Sequence, residues 1–368
     1  MIGQVPTTGA DRMQRILADA RDRGGPGQPM LILKDIKRHF PIRKGVMNRT
    51  VGHVQAVDGV SLTVMKGEIL GVVGESGCGK STLSRLMMRL VEPDTGEMIF
   101  DGDLVDDKVG LTTRRLRRQM QMVFQDSFSS LNPRMPIEET IAFAPMMNGS
   151  SRSDAIAAAR ALLDQVGLSA AMFARRYPHE LSGGQRQRVN IARALAVNPR
   201  VVILDEAVSA LDKSVEAQVL QLLIRLQEEM DLTYVFVSHD LNVVRYISDR
   251  IAVMYLGRIV ETGSVDEIWD NPRHPYTQAL LASIPSLDPD RRTMAAPIYG
   301  DPPNPINPPS GCRFRTRCPF AETCCEMHDP AAVTLPGSSA HAVSCHMENE
   351  ASGHSRVGTN ARIAEVTQ

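Results

Sequence analysis

The sequence predicts an α/β fold built on a mainly parallel β-sheet, and three observations carry that prediction. GESGCGKST, residues 74–82, stands between an apolar, strand-like run and a helix-like run. VVILDE, residues 201–206, is a short continuous apolar run, typical of a strand buried on both faces. TYVFV, residues 233–237, is another strand-like run, and a helix-like segment precedes and follows it. Strands and helices that alternate in this way form parallel sheets.

The stretch 74–82 fits the pattern G-x-x-x-x-G-K-[ST] of a phosphate-binding loop. Its glycines let backbone amides point inward, and Lys80 and the start of the next helix add positive potential. Ser81 can then ligate Mg²⁺. A glycine-rich turn without chemistry would lack the strand and the helix on its two sides. The residues predicted to hold the phosphates are Gly74, Glu75, Ser76, Gly77, Cys78, Gly79, Lys80, Ser81 and Thr82.

Composition narrows the classes of function. The 368 residues allow two to three domains. Lysines and arginines number 41 against 42 aspartates and glutamates, so no basic field favours nucleic acid as a partner. No apolar run approaches the roughly 20 residues of a membrane helix, and no signal-peptide pattern is present. We expect a soluble, intracellular protein that reaches a membrane only through a partner.

The chain begins with a polar segment, residues 1–28, which we predict to be a tail. Strand-like runs at residues 30–36 and 53–64 predict a small β-sheet ahead of the phosphate loop. Phe40 stands out because aromatic residues make up only 4% of the chain. An aromatic ring just upstream of such a loop can stack on adenine, and a core phenylalanine is the alternative.

A helical subdomain is predicted at about residues 134–198, inserted between strands of the main sheet. Residues 153–167 have helical periodicity and end at a glycine, and a second helix begins at about residue 183. Since LSGGQ, residues 181–185, opens that second helix, its backbone amides are directed outward at an anion. The chain's own nucleotide is already held by residues 74–82. We therefore expect Ser182, Gly183 and Gly184 to face the γ-phosphate bound to a second copy.

The C-terminal part differs in character. The proline-rich residues 301–311 predict an extended connector to a small Cys-rich module, and residues 347–368 are predicted to be disordered. In a reducing cytosol, clustered cysteines indicate a metal or free thiols before disulfides. The clustered cysteines are Cys312, Cys318, Cys324, Cys325 and Cys345.

The ordered set GESGCGKST, Gln125, LSGGQRQR, VVILDE, SALD and His239 after VFVS resembles the ATP-binding subunit of an ABC transporter. The stretches FQDSFSSLNPRM, NPRHPYTQALL and NPPSGCRFRTRCP resemble the bacterial dipeptide/oligopeptide importers in particular. This resemblance implies a P-loop ABC ATPase domain at 29–270, with an N-terminal antiparallel β-subdomain and the inserted helical subdomain. It also implies a C-terminal extension at 271–346 with the small Cys-rich module.

The resemblance implies roles for individual side chains. Asp205 would hold Mg²⁺ through water, together with Ser81 and Gln125, and Glu206 would polarise the attacking water. His239 would orient the water and the γ-phosphate, and Gln125 would also link the catalytic group to the membrane partner. The residues implied to act on the nucleotide of the opposite subunit are Ser182, Gly183, Gly184, Gln185 and Asp212.

The resemblance also implies a cofactor in the Cys-rich module. Cys312, Cys318, Cys325 and Cys345 match the four cysteines that can hold a [4Fe-4S] cluster in this family. Their spacing alone does not indicate a cluster, so zinc and unmetallated thiols remain alternatives. Cys324 is an alternative ligand to Cys325.

The implied function is hydrolysis of ATP to ADP and phosphate to power import of dipeptides or oligopeptides, at the cytoplasmic face of the inner membrane. The implied partners are a sibling ATPase in a heterodimer or homodimer, two transmembrane permeases and an extracytoplasmic peptide-binding protein, without nucleic acid. A nickel or sugar cargo is an alternative. Another alternative is a soluble ABC ATPase of translation or DNA repair, but such proteins usually carry two ATPase cassettes and this chain has one. A module that uses ATP only to switch dimerisation is also an alternative, and the presence of Glu206 and His239 argues against it.

Overall fold

A computed structural model describes residues 28–45, 48–126, 128–284, 300–301, 303–338 and 340–359. The predicted N-terminal tail lies outside these ranges except for Gln28, and so does the end of the chain from residue 360. Among the described residues, no helix has both the length and the apolar character needed to cross a membrane.

The described elements alternate between strands and helices through most of the chain. The strands are β1 (Pro29–Lys44), β2 (Arg49–Met65), β3 (Ile69–Val73), β4 (Thr95–Phe100), β5 (Asp103–Leu104), β6 (Met120–Val123), β7 (Val201–Asp205), β8 (Thr233–Val237), β9 (Arg250–Tyr255), β10 (Arg258–Ser264), β11 (Val333–Thr334) and β12 (Ala342–Val343). The helices are α1 (Lys80–Met87), α2 (Thr113–Gln119), α3 (Ile137–Met147), α4 (Arg152–Gln165), α5 (Ala170–Phe173), α6 (Gly183–Leu195), α7 (Lys213–Glu229), α8 (Leu241–Ile247), α9 (Val265–Asp270), α10 (Pro275–Ala282) and α11 (Thr323–Met327).

The N-terminal sheet is antiparallel, with strand order β2-β1-β4-β5. Strands β1 and β2 form one long hairpin whose register shifts at several points. One shift coincides with Asp35, which has a φ of 46°. Such bulges strengthen the local twist, which lets a long hairpin bend around a core. The short strands predicted at 30–36 and 53–64 are therefore parts of longer ones.

The main sheet has eight strands in the order β11-β12-β10-β9-β3-β8-β7-β6. The five strands from β9 to β6 are parallel, and every residue of β3, β7 and β8 is buried, as the continuous apolar runs predict. Because the carboxyl ends of parallel strands meet at one edge of a sheet, the loops after β3, β7 and β8 lie side by side. That edge carries the candidate site.

Helices α3 to α6 lie between β6 and β7. Ser151 caps the N-terminus of helix α4, and its Oγ accepts a hydrogen bond from the Asp154 amide at 3.2 Å. Helix α6 begins at Ser182 with a capping box, in which the side chains and amides of Ser182 and Gln185 bond reciprocally. Helix α3 packs against both α4 and α6, and this holds the start of α6 in place.

The C-terminal region joins the main sheet, because β12 pairs with β10 and β11 pairs with β12. A small third core underlies it, formed by Ala279, Phe320, Leu335, Val343, Cys345 and Met347. The prediction of disorder from residue 347 is wrong for residues 347–359. Met347 and His354 are buried there, and the His354 ring lies 2.9 Å from the Phe320 carbonyl oxygen.

Glu261 on β10 is buried and connects the main sheet to the C-terminal region. Its carboxylate accepts the amides of Arg273 at 2.8 Å and of His274 at 3.0 Å, and lies 2.8 Å from His341 Nε2. His274 Nδ1 in turn accepts the Tyr276 amide at 3.0 Å and caps α10. Burial lowers the pKa of His274 to about 4, against an opposing attraction from Glu261.

We predict that acid destabilises this region through His274. A depressed folded-state pKa means that the unfolded chain binds more protons, so stability is complete above pH 6.5 and falls as the pH approaches 4. The loss is about 3 kcal/mol by the usual conversion. His274→Asn, which can still cap the helix, should flatten this pH dependence in thermal unfolding of the full chain. The exposed His53→Asn is the control, and an equal slope in all three proteins would contradict the assignment.

Candidate nucleotide-binding and hydrolysis site

The phosphate loop joins β3 to α1. The Lys80 side chain is buried, and its Nζ donates hydrogen bonds to the carbonyl oxygens of Gly74 at 2.7 Å and Glu75 at 3.0 Å. The ammonium therefore lies inside the curve of the loop, where it can meet phosphate oxygens.

Two glycines let the loop approach its neighbours closely. A Cβ on Gly74 would lie 2.1 Å from the Met254 carbonyl oxygen, and one on Gly79 would lie 2.1 Å from that of Ala56. Both residues also have positive φ, of 153° and 112°. The Gly257 amide donates to the Cys78 carbonyl at 2.7 Å. The loop is thus held between the end of β9 and strand β2.

Phe40 lies opposite Val54 in the β1–β2 hairpin, two residues before the Ala56 that touches the loop. Its ring is half-buried, and the Arg38 guanidinium lies 4.9 Å from the ring centroid. The strand that pairs with Phe40 is therefore the one that contacts the phosphate loop. Stacking on adenine stays a prediction.

The predicted magnesium ligands meet at the carboxyl end of β7. Ser81 Oγ donates to Asp205 Oδ1 at 3.2 Å. Burial raises the pKa of the Asp205 carboxyl, and although the Ser81 hydrogen bond opposes this shift, the neighbouring Glu206 carboxylate adds to it. A divalent cation at this point would offset both unfavourable effects.

Glu206 follows β7 with a φ of 49°, a left-handed conformation that costs roughly 1–2 kcal/mol for an L-residue. The Glu206 amide donates to the Val237 carbonyl at 2.9 Å, which fixes this turn against β8. Gln125 Nε2 donates to Glu206 Oε2 at 2.8 Å, and His239 Nδ1 lies 3.5 Å from Glu206 Oε1. The three predicted catalytic side chains follow β6, β7 and β8. Gln125 and His239 therefore both lie next to the Glu206 carboxylate.

The residues predicted to act in trans lie at the N-termini of α6 and α7. Ser182 and Asp212 are exposed. A Cβ on Gly184 would lie 2.3 Å from Val215 Cγ1, so this glycine is required for α6 to pack on α7. Gly183 has only Leu211 nearby, at 3.9 Å. The packing of the two helices thus accounts for Gly184 and leaves Ser182, Gly183 and Asp212 open to a partner.

Two residues that contact the loop were not predicted from the sequence, Tyr276 and Arg317. Tyr276 Oη accepts the Glu75 amide at 2.8 Å, and Arg317 makes a bidentate ion pair with the Glu75 carboxylate. The sequence contained only weak indications of these contacts. Tyr276 is an aromatic residue in a chain that has few, and Arg317 lies between two cysteines.

Cys312, Cys318, Cys325 and Cys345 line one cavity of about 10 Å³, whereas Cys324 is not among its lining residues. Burial raises the pKa of Cys318 to about 12 and that of Cys325 to about 11. In the described ranges, no group of three or more His, Cys, Asp or Glu side chains is arranged to hold a metal ion. The geometry therefore gives no support to the predicted iron-sulfur cluster or to zinc.

Four features together define an ATPase of the ABC class. They are the phosphate loop, the predicted magnesium ligand Asp205, the group of Gln125, Glu206 and His239, and the helix α6 that begins within LSGGQ. Residues 57–209 match the sequence family described as "ABC transporter", and residues 260–325 match "Oligopeptide/dipeptide transporter, C-terminal region". The first match contains the phosphate loop, Gln125 and Glu206, and the second contains Tyr276 and Arg317.

Relatives extend the match to most of the chain. The oligopeptide transport ATP-binding protein AppF of Bacillus subtilis is 49% identical over 331 residues, which cover 87% of this chain and 98% of that protein. OppF of Salmonella typhimurium is 48% identical over 326 residues, which cover 86% and 95%. The chain belongs to the family of oligopeptide/dipeptide ABC transporter ATP-binding proteins.

Solved structures share the fold. The ATP-binding cassette MJ0796, described as dimeric in a post-hydrolysis state with ADP and Pi, is 30% identical with a TM-score of 0.54 and covers 64% of this chain and 99% of its own. CbiO1 from Clostridium perfringens, part of an ABC transporter complex, is 26% identical with a TM-score of 0.55 and covers 66% and 91%.

We predict that Glu206→Gln binds ATP yet loses turnover by about 100-fold or more, since a positioned general base contributes that much. The measurement is phosphate release by the full chain with Mg²⁺, alongside nucleotide binding. Lys80→Ala is the matched comparison, and it should weaken nucleotide binding itself. Turnover by Glu206→Gln at the wild-type rate would show that another group accepts the proton.

Proposed function

We propose that this protein is the ATP-hydrolysing subunit of an ABC importer for dipeptides or oligopeptides. The observation that carries the proposal is that one chain combines the group of Gln125, Glu206 and His239 with a C-terminal region of the oligopeptide/dipeptide transporter type. Relatives near 48% identity whose names refer to oligopeptide transport support the same cargo.

The phosphates of ATP bind to the amides of the loop 74–82 other than that of Glu75, which bonds to Tyr276, and to the Lys80 ammonium. Ser81, Asp205 and Gln125 would hold Mg²⁺, which neutralises charge on the β- and γ-phosphates when bound. These residues orient the terminal phosphate towards the Glu206 carboxylate at the end of β7. Adenine would stack on Phe40.

Hydrolysis uses the group around Glu206. The Glu206 carboxylate accepts a proton from the attacking water, while the Gln125 amide and the His239 ring orient that water in line with the γ-phosphate. The contacts of 2.8 Å and 3.5 Å that these two residues make with Glu206 support this arrangement. Positioning supplies most of the rate, since phosphoryl transfer needs little covalent help.

The site is complete only in a dimer with a sibling ATPase or a second copy. Ser182, Gly183, Gly184 and Gln185 at the start of α6, with Asp212 before α7, face the nucleotide of the other subunit. The exposure of Ser182 and Asp212 and the dimeric relative with ADP and Pi support this step. Loss of the γ-phosphate removes contacts between the two halves, so hydrolysis opens the dimer.

Opening of the dimer moves two membrane permeases, which dock on the loop after Gln125 and on the helical subdomain at the cytoplasmic face of the inner membrane. Phe128 in that loop and Phe143 and Met147 in α3 are more than half exposed, so both proposed docking elements carry apolar side chains that a permanent partner could cover. An extracytoplasmic peptide-binding protein would deliver the cargo.

The test is reconstitution with the two permeases and the binding protein in liposomes. We expect peptides to stimulate ATP hydrolysis and to accumulate inside, and Glu206→Gln to abolish accumulation without preventing assembly. Nickel and a sugar serve as competing cargoes. Stimulation by either of them, with no response to di- to pentapeptides, would overturn the peptide assignment while leaving the ATPase assignment intact.

We further propose that Cys312, Cys318, Cys325 and Cys345 ligate a [4Fe-4S] cluster. The proposal rests on the resemblance of these four positions to the cysteines that can hold a cluster in this family, and a cationic centre would offset the burial that raises the pKa of Cys318 and Cys325. The cavity of about 10 Å³ has room for about one water molecule, so the thiols must move apart to accept a cluster.

Anaerobic purification should give about four iron atoms per chain with visible absorbance. Cys325→Ser should lose this iron, whereas Cys324→Ser, the matched control, should retain it because Cys324 does not line the cavity. Anaerobic protein without iron or visible absorbance would overturn the cluster, and stoichiometric zinc would favour the alternative metal.

A further inference from the structure

The segment between Cys312 and Cys318 lies directly against the phosphate loop. Arg317 donates from its two terminal nitrogens to the two Glu75 carboxylate oxygens, at 2.8 Å and 3.0 Å. The Arg317 side chain is 6% exposed and the Glu75 side chain 24%. A bidentate pair in such surroundings is geometrically specific and stronger than a surface ion pair.

A second contact from the C-terminal region reaches the same loop residue. Tyr276 at the start of α10 is fully buried, and its hydroxyl accepts the Glu75 amide at 2.8 Å. Its ring packs against Tyr255 and Phe314, with centroids 4.5 Å and 5.5 Å away. This packing fixes the position of the hydroxyl, so the acceptor is rigid.

Glu75 is therefore held at three points. Its amide bonds to Tyr276, its carbonyl accepts Lys80 Nζ at 3.0 Å, and its carboxylate pairs with Arg317. Since the Glu75 amide is already used, this residue shapes the loop instead of binding phosphate through that group. The Lys80 ammonium is positioned partly through the Glu75 carbonyl, so a movement of Glu75 displaces the cation of the site.

We propose that Arg317 and Tyr276 are positioning residues of the nucleotide site, which hold Glu75 so that Lys80 and the loop amides are ready for phosphate. The inference rests on nucleotide binding at the loop and is independent of the cargo. It makes the C-terminal region a structural part of the ATP site.

The other arginine of the same segment strengthens this connection. Arg313 bonds to the Asp58 carboxylate and to the Leu256 carbonyl. The Asp58 amide donates to the Gly257 carbonyl at 2.9 Å, and the Gly257 amide donates to Cys78 at 2.7 Å. The segment thus contacts the loop directly through Arg317. It also contacts the loop indirectly, because Arg313 bonds to Asp58, which bonds to Gly257, which bonds to Cys78.

The test is calorimetric titration of the full chain with ADP, which binds the loop without turnover. Arg317→Met should raise the Kd for ADP by about 5- to 10-fold, near the lower end of the range for coupling free energies. Arg317→Lys should recover part of the loss because it keeps the charge but not the two parallel bonds. Tyr276→Phe should also raise the Kd.

The control is Arg315→Met on the same segment, because Arg315 pairs with Glu326 and bonds to Ser310, away from the loop. Its Kd for ADP should equal that of the wild type. Thermal unfolding without nucleotide separates folding from binding. Arg317→Met with a lowered melting temperature and a wild-type Kd would reduce Arg317 to a stabilising contact and overturn the proposal.

A double-mutant cycle with Glu75→Gln tests the route. If Arg317 acts through Glu75, Arg317→Met should change the Kd much less in the Glu75→Gln background than in the wild type. Fully additive effects would overturn the route. Failure of peptide uptake in liposomes would leave these binding results unchanged, so the two proposals fail separately.

Discussion

The close fit of the phosphate loop between main-chain groups of two strands is the constraint on which the nucleotide site depends. Gly74 touches the end of β9 and Gly79 touches β2, and neither position has space for a Cβ. A loop so confined cannot adjust freely to its ligand, so its shape must be correct before ATP arrives. The residues that contact the loop from outside therefore help to set the shape that binding requires.

Much of this arrangement could be predicted from the sequence. Strands β7 and β8 are continuous apolar runs buried on both faces, and α6 begins at the serine of LSGGQ, where a cap is expected. Gln125, Glu206 and His239 follow three strands of one parallel sheet, and the topology brings them together. Local patterns and one topological rule account for these elements and for the meeting of the loops, whereas the resemblance to the ABC family supplied the roles of the three side chains.

The features that escaped prediction depend on contacts between distant parts of the chain. Arg317 and Glu75 are 242 residues apart, and nothing local to either one indicates the other. Strands β11 and β12 have two residues each, too few for any periodicity, yet they extend the main sheet. Residues 347–359 have a polar sequence, and their order comes from the burial of Met347 and His354 against the third core.

The electrostatics of the site explain why a rigid loop is useful. Asp205 and Glu206 place two carboxylates next to each other at a buried strand end, and burial together with repulsion from Glu206 disfavours the charged form of Asp205. Arg85, the Lys80 ammonium and a divalent cation are charges that can offset this repulsion, and each acts most strongly at short range. Because Lys80 is anchored on the Glu75 carbonyl, contacts that hold Glu75 also hold this compensating charge at its working distance. The C-terminal region, which supplies Arg317 and Tyr276, thereby contributes to the charge balance of a site built from the other end of the chain.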